Sequence, residues 1–132
     1  MKVVFLTLDE AIALHADQIE RYGGRPGIRD LGLLQSALGV PSATFEGRSL
    51  YEGHHEMAGA YLFHIVRNHP FADGNKRVGL AILLAFLGLN SRWLDAHPME
   101  VERLVLGIAG GTTTKAEAAV FVQQHLRPRR GR

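Results

Sequence analysis

The stretch HPFADGNKRVGLAILLAFLGLN, residues 69–90, gives the clearest indication of how this chain folds. Its second part, from Gly74 or Asn75 to Asn90, is apolar on nearly every side, which predicts a central helix inside a bundle. Its first part combines a titratable base, a carboxylate, a Gly–Asn turn and two adjacent cations. Backbone N–H groups and the positive end of the helix dipole point into such a cluster, so it is suited to bind an anion. The stretch therefore indicates phosphate chemistry.

Five residues of this stretch are candidates for binding or catalysis. His69 can act as a general base. Gly74 and Asn75 tolerate the left-handed backbone that a concave group of N–H donors requires. Lys76 and Arg77 would add positive charge and forked hydrogen bonding to phosphate oxygens. A lone histidine would more often pack or cap a helix, but these neighbours favour a functional role.

Asp73 and Phe71 have both functional and structural explanations. Asp73 can bind a Mg²⁺ ion that bridges the phosphates of a nucleotide, which is the usual mode for this hard cation. It can also cap the helix that follows, and the two roles are compatible. Phe71 is expected to anchor the loop in the core.

The rest of the chain predicts helices and no sheet. Capping boxes begin at Thr7 and Thr114, Asp30 is a candidate N-cap, and Pro98 suits a first helical turn. The predicted helices cover residues 8–22, 31–38, 55–68, 74 or 75 to 90, 98–110 and 115–126. The fold class is therefore all-α, a compact bundle of about six helices.

The segment Gly39–Gly53, called the flap below, lacks sustained periodicity. An irregular segment of this length in a compact domain is often a functional loop, a lid or a short hairpin. A plain connector is the alternative, and the sequence alone leaves both open.

Composition is that of a globular protein with one domain, residues 1–126, followed by an Arg-rich tail, residues 127–132, predicted to be disordered. The net charge of +2 owes much to the four arginines of that tail. A nucleic-acid binder usually has a basic face on its folded part, so direct nucleic-acid binding through the tail is only a weak alternative. No membrane span is predicted, and the absence of cysteine fits a cytoplasmic location.

The seven histidines do not form a recognisable zinc site. His54, His55 and His64 lack the spacing of two histidines on one helix face around a catalytic glutamate. Four histidines are treated as ordinary surface or packing residues: His15, His64, His97 and His125.

HPFADGNKR, residues 69–77, resembles the motif loop of the Fic/Doc family, and most closely its death-on-curing (Doc) toxin branch. FLTLDEAIALHADQIERYGGRPGIRDLGLLQSAL (residues 5–38) and AILLAFLGLNSRWLD (residues 81–95) are also similar to Doc-type toxins. The resemblance covers most of residues 4–126. It implies a compact helical fold and the transfer of part of a nucleotide to a protein hydroxyl.

The resemblance also implies a role for each motif residue. His69 would deprotonate the acceptor hydroxyl, and Asp73 would hold Mg²⁺. Gly74 and Asn75 would cradle phosphate through their backbone, and Lys76 and Arg77 would stabilise the charge on the transferred group. ATP is the implied nucleotide, and the flap would position the target chain.

Two positions bear on which group is transferred. Family members that transfer AMP usually have Gly at the position of Lys76 and Arg at that of Leu80, whereas Doc-type members share the Lys and pass on the terminal phosphate of ATP. A protein Ser/Thr kinase toxin is therefore expected. An AMP transferase and a catalytically silent interaction module are the alternatives.

The implied partners are elongation factor Tu, whose phosphorylation stops translation, and an antitoxin of the Phd class, whose helical tail packs into a groove of the toxin. Contact with nucleic acid would then be indirect, through the antitoxin.

Overall fold

A computed structural model describes residues 2–129 of the chain. Within that range the fold consists of six α-helices, with one 3-10 helix and two small antiparallel sheets. The helices are α1 Leu8–Tyr22, α2 Leu31–Gly39, α3 Gly53–Asn68, α4 Asn75–Leu89, α5 Pro98–Gly110 and α6 Lys115–His125. The strands are β1 Thr44–Phe45, β2 Arg48–Ser49, β3 Arg92–Leu94 and β4 Leu126–Pro128. The predicted all-α bundle is confirmed, apart from these short strands.

Local capping signals determine where the helices begin. The side chains of Thr7 and Thr114 each accept a hydrogen bond from the backbone N–H three residues on. The side chain of the glutamate at that position accepts a hydrogen bond from the threonine's own backbone N–H. Asp30 accepts from the backbone N–H of Leu33. His97, which the sequence suggested was an ordinary residue, caps α5 through Nδ1 and the backbone N–H of Met99.

The core is built around α3, which packs against α4 and α6. Two glycines allow these helices to approach closely. A Cβ atom on Gly59 would lie 3.0 Å from the backbone nitrogen of Ala119, and one on Gly79 would lie 2.9 Å from Val66 Cγ2. The packing positions the C-terminus of α3 beside the N-terminus of α4, where the motif loop connects them.

Helix α4 is not buried on every side, which differs from the expectation for its apolar sequence. Ile82, Leu83 and Phe86 are fully buried, whereas Leu84 and Leu89 are 45% and 43% exposed. The exposed apolar face of α4 forms one wall of a groove of about 490 Å³, with α5 as the other wall.

The flap folds into the 3-10 helix Val40–Ser42 and an antiparallel hairpin of β1 and β2. Its turn is formed by Glu46 and Gly47, both at positive φ, which is the backbone twist that a tight hairpin favours. A short hairpin was one of the structures predicted for this segment.

The prediction that the tail is disordered is wrong for its first residues. After α6 the chain is extended, and β4 pairs with β3, with Trp93 opposite Arg127 and Arg92 opposite Pro128. Arg127 Nε also lies 3.6 Å from a carboxylate oxygen of Asp95. Residues 127–129 therefore belong to the fold, and residues 130–132 of the predicted tail lie outside the described residues.

Within residues 2–129, the helices are too short or too polar to cross a membrane.

Candidate active site

The motif loop begins at His69, the C-cap of α3, which has left-handed backbone angles of φ 49° and ψ 55°. Non-glycine residues adopt this conformation only at a cost, and it often occurs at functional sites. The His69 ring is exposed, while its carbonyl oxygen accepts a 2.6 Å hydrogen bond from Arg29 Nε. The turn thus holds the backbone of His69 and leaves its imidazole facing solvent.

Two buried residues close the loop on itself. Phe71 is 1% exposed and anchors the loop in the core, as predicted. Asn75 is 8% exposed, and its side chain accepts from the backbone N–H of Phe71 at 3.0 Å and donates to the carbonyl oxygen of Phe71 at 3.1 Å. The Asn75 side chain therefore fixes the loop, and its backbone N–H lies at the start of α4, where an anion would bind.

His15 is a site residue that the sequence analysis missed. It is buried on α1, its ring stacks on Phe71 with 3.9 Å between ring centres, and its Nε2 lies 2.8 Å from the carbonyl oxygen of Asp73. Because a carbonyl oxygen only accepts, Nε2 carries the hydrogen. The sequence carried one sign that His15 faces the core, which is its spacing. His15 lies one helical turn after Ala11, which is buried, and so belongs to the same side of α1.

Residues 23–30, which connect α1 to α2, lie directly against the motif loop. Arg25 donates its backbone N–H to a carboxylate oxygen of Asp73 at 3.1 Å and its guanidinium to the carbonyl oxygen of Ala72 at 3.0 Å. Arg29 bonds the carbonyl oxygens of Asn68 and His69. These contacts hold the loop from outside, just as Phe71 holds it from inside.

The Asp73 carboxylate is kept ionised by its surroundings. The backbone N–H groups of Arg25 and then Gly74 donate to it, and these bonds, with the nearby charges of Arg25 and Arg77, hold its pKa below the ordinary value. Within residues 2–129 no three His, Cys, Asp or Glu side chains enclose a metal position. A single ionised carboxylate fits Mg²⁺, which is commonly held by one or two carboxylates together with substrate phosphates and water.

The two cations of the motif differ in their surroundings. Lys76 is exposed, and within the described range its ammonium forms no hydrogen bond or ion pair. Arg77 donates to the carbonyl oxygens of Gln18 and Gly23 at 3.4 and 2.9 Å, near the C-terminus of α1. Arg77 therefore also ties the motif to α1, and its charge is partly offset by the negative end of that helix.

The motif residues line one cavity of about 340 Å³, formed by His69, Ala72, Asp73, Gly74, Asn75, Lys76 and Arg77. Gly74 has φ 74° and is the N-cap of α4, without a side-chain cap. The first intrahelical bond runs from the N–H of Val78 to the carbonyl of Gly74, so the earlier N–H groups have no partner within the helix.

The prediction of left-handed backbone holds for Gly74 but not for Asn75, which is the first residue of α4. The non-glycine residue of the loop with this conformation is His69. All six predicted site residues nevertheless lie around the cavity. Two of them, Lys76 and Arg77, also line the apolar groove between α4 and α5.

Comparison with known proteins agrees with this geometry. A model of the Fic/DOC family matches residues 5–87, which include α1, α2, α3, the motif loop and most of α4. The chain belongs to the Fic/DOC family. It is 35% identical over 111 residues to the protein named Protein kinase doc of Escherichia phage P1, with 84% of this chain and 86% of the phage protein covered. It is 39% identical over 96 residues to Toxin Doc of Mycolicibacterium smegmatis, with 73% and 72% covered.

Proposed function

We propose that this Fic/DOC protein is a toxin that transfers the terminal phosphate of ATP to a serine or threonine hydroxyl of another protein. The observation that carries the proposal is the single cavity in which an exposed imidazole, an ionised carboxylate and a free helix N-terminus meet. The names of its relatives, Protein kinase doc and Toxin Doc, support the same activity.

His69 would act as the base. Its imidazole takes the proton of the acceptor hydroxyl as that oxygen forms a bond to the terminal phosphorus, and the bond from phosphorus to the ADP oxygen breaks. General base catalysis contributes about 10²–10⁴-fold to the rate, provided the base is within hydrogen-bond reach. The exposed ring at the C-cap of α3 is accessible to a protein chain from outside.

The N-terminus of α4 would hold the phosphates. Its unpaired N–H groups, the ammonium of Lys76 and the helix dipole all favour negative charge at this point. Asp73 would hold Mg²⁺, which neutralises phosphate charge when bound. Because phosphoryl transfer depends mainly on positioning and electrostatic stabilisation, these groups are sufficient.

Terminal-phosphate transfer is favoured over AMP transfer by two side chains. Lys76 lines the cavity at the position where a glycine would let phosphates approach the backbone. Leu80 lines the apolar groove and replaces the second arginine of AMP-transferring members. The mass added to the target separates the reactions, since a phosphoryl and an adenylyl group differ in mass. An adenylyl increment would refute the kinase assignment.

Elongation factor Tu is the proposed target, with the flap hairpin as its docking element. Phe45 is 65% exposed on β1, and both strands leave one backbone edge unpaired, which suits the addition of an extended peptide. Incubation of purified elongation factor Tu with ATP, Mg²⁺ and the chain should add one phosphoryl group, and His69→Ala should add none. A silent interaction module would instead arrest growth equally well with His69→Ala.

A Phd-like antitoxin is the proposed inhibitor, acting in the cytoplasm and providing any contact with nucleic acid. The groove between α4 and α5 is apolar, shares Lys76 and Arg77 with the lining of the motif cavity and is suited to an amphipathic helix. Leu84→Glu on its exposed wall should weaken inhibition by the antitoxin in a titration of kinase activity. Uninhibited kinase activity should be unchanged, and equal inhibition of both proteins would contradict this docking site.

A further inference from the structure

The flap hairpin has too little buried surface to hold its own position. β1 and β2 have two residues each, and all four of these residues are exposed. An isolated two-stranded hairpin is at best marginally stable in water. Its position relative to the cavity must therefore be set by the contacts at its two ends.

One end of the hairpin is anchored by packing. The 3-10 helix before β1 contains Pro41, which is buried, and the backbone N–H of Ala43 bonds the carbonyl of Val40 at 3.0 Å. The other end leaves β2 through Leu50, which is 57% exposed and bonds the carbonyl of Ala43 at 3.0 Å. The next residue, Tyr51, makes the first side-chain hydrogen bond from this end to the body of the protein.

Lys115 makes that contact. Its Nζ donates a 2.7 Å hydrogen bond to the hydroxyl of Tyr51 and lies 3.4 Å from Nε2 of His64. Within residues 2–129 no carboxylate lies within ion-pair distance of Lys115, so neutral acceptors hold its ammonium. Lysine only donates, so Nε2 of His64 is the unprotonated nitrogen, and burial and the charge of Lys115 lower the His64 pKa accordingly.

Lys115 and its neighbour His64 both belong to helices of the bundle. Lys115 is the first residue of α6, whose N-terminus is fixed by the capping box of Thr114 and Glu117. His64 is on α3, five residues before His69, which corresponds to roughly 7.5 Å along a helix axis. The end of the flap is thus tied to the same helix that presents the candidate base.

We propose that Lys115 is a positioning residue for the protein substrate, acting through Tyr51 to fix the flap relative to His69. This inference rests on the proposed kinase function. Lys115 is not among the residues that line the motif cavity. Its loss should therefore weaken the productive docking of the target protein and leave ATP binding and the chemical step intact.

The test compares Tyr51→Phe and Lys115→Met with Lys2→Met, an exposed lysine remote in sequence, as control. KM for the target protein should rise about tenfold in both variants, in line with loss of a charge-assisted hydrogen bond. KM for ATP and kcat should stay within about twofold of the original values. The double variant should be no worse than either single variant, and Lys115→Arg, which keeps a donor, should recover part of the loss.

Hydrogen exchange of the Leu50 amide tests the contact without any activity. This amide should exchange faster in Tyr51→Phe and Lys115→Met, while amides of α3 and α6 keep their rates. Unchanged exchange at Leu50, or an unchanged KM for the target in an active protein, overturns the inference. If the unaltered chain transfers no phosphate, the proposed function fails, and the Leu50 exchange rate alone decides whether Lys115 fixes the flap.

Discussion

Asn75 offers a quantitative test of how the motif loop is held. Asn75→Ala removes the two hydrogen bonds between its amide and the backbone of Phe71, which are 3.0 and 3.1 Å long in a buried environment. Each such bond contributes about 0.5–1.5 kcal/mol net, and a buried group left unpaired costs about 1–3 kcal/mol. Alanine's better helix propensity offsets at most about 0.7 kcal/mol. The free energy of unfolding should therefore fall by about 2–4 kcal/mol.

The assay is urea denaturation followed by circular dichroism, in which the midpoint should fall without a change in slope. Asn75→Asp is the matched control because it keeps the acceptor for the Phe71 N–H, loses the donor to the Phe71 carbonyl oxygen and adds a negative charge beside that oxygen. Its loss of stability should be at least that of one hydrogen bond. A change below about 0.5 kcal/mol for Asn75→Ala would refute the conclusion that this side chain closes the loop.

Three further predictions concern other contacts. His15→Phe keeps the stack on Phe71 but leaves the Asp73 carbonyl oxygen without its donor. Kinase activity, measured by turnover, should fall at least tenfold, and the free energy of unfolding, measured by urea denaturation, should fall by about 1–2 kcal/mol. Equal activity would contradict a positioning role for His15. Burial and the charge of Lys115 lower the His64 pKa, so the unfolded chain binds this proton more readily than the folded one. The free energy of unfolding should therefore hold above the ordinary pKa of 6.5 and decrease as the pH falls below it. His64→Gln should reduce that decrease in urea titrations from about pH 8 to about pH 5. Gly79→Ala should lower the melting temperature because the added Cβ would lie 2.9 Å from Val66 Cγ2. Gly88→Ala, on the same helix, should raise the melting temperature because a Cβ there would meet no atom within 4 Å. The opposite order would contradict the α3–α4 packing.

Local signals were sufficient to predict the helices. The caps at Thr7, Asp30 and Thr114 depend on residues within one turn, and each begins a helix as expected. The motif loop was predictable because its residues are contiguous in the sequence. Gly74 has the predicted left-handed backbone because glycine has no Cβ to oppose it.

The missed features depend on residues far apart in the chain. His15 and Asp73 are 58 positions apart, and Arg25 and Asp73 are 48 apart. No periodicity connects such pairs. They are brought together by the packing of α1 against α4 and by backbone hydrogen bonds between residues 27–30 and the motif loop. The pairing of β3 with β4 is also non-local, and both strands are too short to give an alternating pattern. Arg127 was therefore assigned to a disordered tail, although it lies opposite Trp93.

The most direct test of the account uses two preparations of ATP, one radiolabelled at the terminal phosphate and one at the phosphate next to the ribose. Each is incubated with elongation factor Tu, Mg²⁺ and either the unaltered chain or His69→Ala. If the chain is a kinase with His69 as its base, only the terminal label is transferred and His69→Ala transfers neither. Transfer of the ribose-proximal label, or undiminished transfer by His69→Ala, would contradict it.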